Sequence, residues 1–107
     1  MMFPKASRVE SRSYRQWVAS LDCAGCGISG YSQCAHREEG KGMSMKTCDL
    51  QTFPLCCTRP GHMGCHYQHT MLIDMDRDSR RELEARYVKQ TQAAAVEAGR
   101  REFREAA

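Results

Sequence analysis

The sequence predicts an α+β fold: a short strand, a returning segment and a short helix in a loop-rich centre, with one helix before it and a longer one after. Three observations carry that prediction. Apolar residues recur at helical spacing on both sides of the centre, at Tyr14, Trp17, Val18 and Leu21 and again at Leu83, Tyr87, Ala94 and Ala98. Between them, Ser32–His36 reads as a short strand after a turn, and Leu50–Cys56 brings the chain back to the core. The middle third is rich in Gly, Cys and Met but poor in aliphatic side chains, so burial alone does not hold it, and a metal or disulfide staple is expected.

Length and composition narrow the choice. At 107 residues the chain is one domain with flanking helices, and it buries roughly two-thirds of its unfolded surface. Seven cysteines is an odd number, which rules out a complete set of disulfides within one chain. Met1-Met2-Phe3-Pro4-Lys5 has no apolar stretch of a secretory leader, and no run approaches the ~18 apolar residues of a membrane span. A soluble, cytoplasmic chain whose thiols stay reduced for metal is the expectation. The net charge of +3 is mild and permits a polyanionic partner without requiring one.

Residues 1–10 carry no pattern and read as a flexible arm. The first helix spans Ser11–Leu21, capped by Ser11 or Ser13, with Trp17 as a core anchor. Cys23-x-x-Cys26-Gly27 follows; two thiols at this spacing approach one ion from a tight turn, a common half-site for tetrahedral zinc. A redox pair of the same spacing wants a strand before and a long helix after, and here a glycine-rich loop follows instead. His36 to Phe53 reads as a long ordered loop. Its Gly40-Lys41-Gly42 lacks the rest of a phosphate-binding loop. Phe53 and Leu55 are expected in the core. A helix from Cys65 to about Ile73 carries Cys65, His66 and His69 on its first turns. Ser79-Arg80-Arg81-Glu82 has the form of a capping box and opens a charged helix to about Arg104. The resulting division is 1–10, 11–74 and 75–107.

Five of the seven cysteines and three of the four histidines occupy candidate functional positions in the centre. The order Cys-x-x-Cys-Gly, Ala-His, Gly-Lys-Gly-Met, Lys-x-x-Asp-Leu, Pro-Leu-Cys, Cys-His resembles the HNH endonucleases of phages and prophages, closest to the small recombination-associated, Ref-like group. The lead-in Tyr14-Arg15-Gln16-Trp17-Val18-Ala19-Ser20-Leu21-Asp22-Cys23 is similar as well. The likeness covers about residues 11–70.

That resemblance implies a zinc-stapled ββα-metal module, in which a hairpin and a helix grip a divalent ion, and an enzyme that hydrolyses phosphodiester bonds in DNA. By position, His36 becomes the general base, His66 a metal ligand, and Asp49 the loop residue that orients the base or helps at the metal. Ala35 stands where many family members carry an aspartate ligand, and the segment from Cys56 to Cys65 is longer than the usual spacing. Structural zinc is assigned to Cys23, Cys26, Cys56 and Cys65, with Cys57 for Cys56, or His62 for Cys65, as substitutes. A catalytic Mg²⁺ or Mn²⁺ would sit at His66 with His69 or Asp49, although imidazole also suits Ni²⁺ and Zn²⁺. Lys41 and Lys46 would contact DNA phosphates, giving salt-sensitive binding with weak sequence preference. A recombinase is a possible partner. The alternative is a non-catalytic zinc module that binds nucleic acid or protein.

Overall fold

The computed structural model describes residues 10–37, 48–73 and 75–100. Residues 1–9 of the expected arm, the lysines Lys41 and Lys46, and the last seven residues lie outside that set. The chain runs helix α1 (Arg12–Ala19), strand β1 (Ser32–His36), strand β2 (Thr52–Cys56), helix α2 (Cys65–Thr70) and helix α3 (Arg77–Glu97). It is a small α+β protein with a two-stranded sheet.

α1 starts where Ser11 accepts a hydrogen bond from the Tyr14 amide, so Ser11 rather than Ser13 is the cap. It is shorter than the apolar pattern suggests and ends at Ala19. Tyr14 and Val18 are its fully buried residues, while Trp17 lies half-buried with its ring 5.5 Å from that of Tyr14. An indole is too large to bury whole against so small a core, and the smaller ring takes the centre.

β1 and β2 pair antiparallel, with Ser32 opposite Cys56 at one end and His36 opposite Thr52 at the other. All five β2 residues are buried, because α1, α2 and α3 all pack against that strand. Pro54 has no N–H to give, but its carbonyl accepts from the Ala24 amide at 2.9 Å, which ties the Cys23–Cys26 turn to the strand. Phe53 and Leu55 are fully buried as expected, each stabilising the fold by roughly 1.5–3 kcal/mol. They join Cys23, Ala35, Cys56 and Val88 in one cluster, and Tyr14, Val18, Leu50 and Ala95 form a second.

α2 has six residues, fewer than expected. Its cap is Gly64 at φ 92°, and a Cβ there would stand 2.6 Å from the backbone of Cys57 and Thr58, so only glycine fits. α3 begins earlier than the expected capping box: Asp76 is the cap, and it accepts from the Ser79 amide at 2.8 Å. The helix stops at Glu97, short of Arg104, where Gly99 turns the chain at φ 76°. Its buried face is Glu84, Val88, Thr91 and Ala95, one residue round from the expected stripe of Leu83, Tyr87, Ala94 and Ala98. The described residues contain no helix long and apolar enough to cross a membrane.

Candidate metal centre and histidine cleft

The turn after α1 and the end of the hairpin bring Cys23, Cys26, Cys56 and Cys65 together, with all four sulfurs within 4.8 Å of one another. None is in a disulfide. Cys26 Sγ lies 3.8 Å from Cys56 Sγ, the separation that a tetrahedral ion with ~2.3 Å bonds to sulfur requires, about 3.8 Å. Backbone amides of Gly25, Cys26 and Cys56 all donate to Cys23 Sγ at 3.3 Å, and the Cys65 amide donates to Cys56 Sγ at 3.4 Å. Such donors suit thiolates that bind metal. Gly25 lets the turn close over the site, since a Cβ there would meet Cys65 Sγ at 3.0 Å.

The electrostatics agree with an ion-binding role. Burial pushes the Cys56 thiol up, but the Cys65 amide, Arg59 and the neighbouring thiols outweigh it and bring it down to about 6. Burial and then Cys23, Cys56 and Cys26 push Cys65 strongly upward. Four thiols this close cannot all ionise without a cation between them. The four-cysteine group can therefore hold a metal ion. Among the described residues it is the set of three or more such side chains whose ligand atoms close to that distance. The substitutes are not in it. Cys57 lies just beyond the strand, and His62 is exposed with its Nδ1 accepting from the Gly64 amide at 2.9 Å.

Of the candidate catalytic residues, His36 ends β1 at the other end of the hairpin, while His66 follows Cys65 directly and reaches Gln33, one position from the cysteine end. His36, His66 and His69 line one cleft of about 120 Å³ together with Ala35, Thr70, Arg80 and Glu84. Each imidazole has one nitrogen against a side-chain oxygen. His36 Nε2 lies 3.0 Å from Asp49 Oδ1, His66 Nδ1 lies 2.9 Å from Gln33 Oε1, and His69 Nε2 lies 2.7 Å from Glu84 Oε2. Each ring thus keeps its other nitrogen outside these contacts. Burial first, then His69, lowers the His66 imidazole below its ordinary value and favours the neutral ring.

Asp49 is 4% exposed and is fully engaged. Its Oδ2 accepts from the Ser11 amide at 2.7 Å and from Arg15, while Oδ1 faces His36. Burial would raise its carboxyl, but His36, Ser11 and Arg15 outweigh burial and hold it below the ordinary carboxylate value. Asp49 therefore belongs with His36, and its oxygens are taken up away from His66.

Sequence reasoning missed Arg15, Gln33 and Glu84. Glu84 is 1% exposed, yet Arg80 four residues earlier, 3.6 Å from it, disguises it as half of an ordinary surface pair. Gln33 is exposed near the start of β1 and carries no signal of its own.

Residues 1–94 match the family described as "Protein of unknown function (DUF968)". No curated protein and no solved structure matches the chain. With most of its length inside that match, the chain belongs to the DUF968 family.

Proposed function

We propose that this protein is a metal-dependent DNA endonuclease of the HNH class, stapled by zinc, that acts in the cytoplasm in phage or prophage DNA processing. The observation that carries the reading is the shared cleft: His36 ends the first strand, His66 and His69 sit on the following helix, and all three line one small space. The order strand, strand, helix and the cysteine group at the far hairpin end also support it.

Zinc is the ion of choice for four thiolates within tetrahedral reach, and it fixes the start of α2 against the Cys23–Cys26 turn. In the cleft, Asp49 holds His36 through Nε2, so the proton of an attacking water passes to Nδ1. Gln33 holds His66 through Nδ1, which leaves Nε2 for a divalent ion. His69 borders the same space. A Mg²⁺ or Mn²⁺ bound there supplies positive charge for the pentavalent phosphate and the departing oxygen. Lys41 and Lys46 contribute phosphate contacts, and a recombinase is the partner class that the resemblance suggests.

Ala35 favours a second reading. It is buried beside His36 and offers no carboxylate, which suits a zinc module that binds nucleic acid without cutting it. Plasmid nicking in Mg²⁺ or Mn²⁺ separates the two. The nuclease nicks, and His36→Ala lowers the rate by about 10²–10⁴-fold. A wild-type protein that binds DNA in a salt-sensitive way but never nicks with any divalent ion is the binding module, and equal nicking by both proteins removes His36 as the base.

A further inference from the structure

α3 lies outside the stretch that resembles a nuclease, yet it places a carboxylate in the wall of the cleft. Glu84 is 1% exposed, and Oε2 lies 2.7 Å from His69 Nε2. Arg80, one turn earlier, stands 3.6 Å from the same oxygen and also reaches the carbonyls of His69 and Thr70 at 3.5 Å. Burying a carboxylate costs several kcal/mol in desolvation, roughly what its pairing returns, so an apolar residue of similar size would serve the fold as well. A carboxylate oxygen accepts, so the facing ring nitrogen donates. The contact thus places a proton on Nε2, and in the neutral ring the lone pair is then on Nδ1. A histidine whose one nitrogen is fixed by a carboxylate while the other is unprotonated is the usual form of a metal-ligating imidazole.

We infer that Glu84 is a positioning residue that fixes the His69 ring so that Nδ1 binds a divalent ion in the cleft, making α3 part of the ion site. The inference rests on the nuclease reading for the ion's purpose but not for its binding. Two imidazoles favour Mn²⁺, Co²⁺ or Ni²⁺ over Mg²⁺.

The test is Mn²⁺ binding to the zinc-loaded full chain, read by electron paramagnetic resonance, with wild type and Glu84→Gln compared. Glutamine keeps the shape and loses the charge. Mn²⁺ affinity is expected to fall about 10–100-fold at unchanged zinc content and unchanged circular dichroism. A structural pair alone would lower the melting temperature and leave Mn²⁺ affinity where it was, which overturns the inference. Should Glu84→Gln fail to fold, ¹⁵N spectra of the wild-type histidine rings decide. A His69 ring protonated on Nε2 alone, whose Nδ1 signal shifts with added Zn²⁺ beyond one equivalent, supports the inference. A doubly protonated ring, or no shift, overturns it. Mn²⁺ binding through His69 without any nicking would refute the nuclease alone. Nicking at the same Mn²⁺ half-saturation in both proteins would refute the role of Glu84 alone.

Discussion

The two ends of the β1–β2 hairpin hold different kinds of polar cluster. At the Ser32–Cys56 end, four sulfurs crowd within 4.8 Å and receive their hydrogen bonds from backbone amides. The His36–Thr52 end lies four residues or about 13 Å along the strand; there His36 borders a cleft shared with His69 and with His66, which reaches back to Gln33 near the sulfurs, and each ring meets a side-chain oxygen. The first set closes on itself and leaves no room for a substrate. The second uses one nitrogen of each ring in its side-chain contacts and leaves the other outside them. In metal sites closed ligand sets are structural and open ones are reactive, and on the proposed reading the same short hairpin would carry both.

The comparison can be broken first at the closed end. Cys23→Ser removes the sulfur that accepts three amide hydrogen bonds, and structural zinc accounts for ~10–16 kcal/mol of apparent binding energy in small peptides. Loss of zinc in elemental analysis and loss of a cooperative thermal transition are expected, whereas Cys57→Ser keeps both. At the open end His36→Ala leaves melting and zinc content nearly unchanged while nicking falls, a separation that Cys23→Ser cannot show. Gly64→Ala strikes the link between the ends. A Cβ 2.6 Å from two backbone atoms, at positive φ, costs about 1–3 kcal/mol, to be measured by urea denaturation. Asp49→Asn has the smallest effect, about 1–2 kcal/mol at neutral pH. Because the folded carboxyl lies below its ordinary value, its contribution is complete above the unfolded value of ~3.9 and disappears as pH falls through the folded one. Wild type and Asp49→Asn should therefore differ in stability at pH 7 and converge at low pH.

The closed end was the more legible in sequence. Cys23-x-x-Cys26 announces its own geometry, and Cys56 and Cys65 complete it, with Cys57 outside the group. Ser11, β1 and the burial of Phe53 and Leu55 were likewise readable from local rules. α3 was not. Its inward face includes Glu84, satisfied by His69, and Thr91, whose hydroxyl donates to the Tyr87 carbonyl at 2.8 Å. Periodicity counts apolar residues, so a face half made of satisfied polar groups shifts the apparent stripe by one position. Asp76 displaced Ser79 as the cap for a related reason: both residue types can cap, and which one does depends on where packing starts the helix. The oxygen partners of the histidines were hidden too, since only tertiary contact joins His66 to Gln33 or His69 to Glu84.

α2 bears on how the two ends depend on one another. Six residues are far too few for a helix to persist unaided in water. It is pinned at its first residue, Cys65, by the sulfur group, and its last carbonyls are gripped by Arg80 from α3. His66 and His69 ride on that fastened turn. An ion held by the thiols would therefore moor both rings at once, and on the proposed reading a chelator that took it through the exposed Cys26 would disable the cleft without ever entering it.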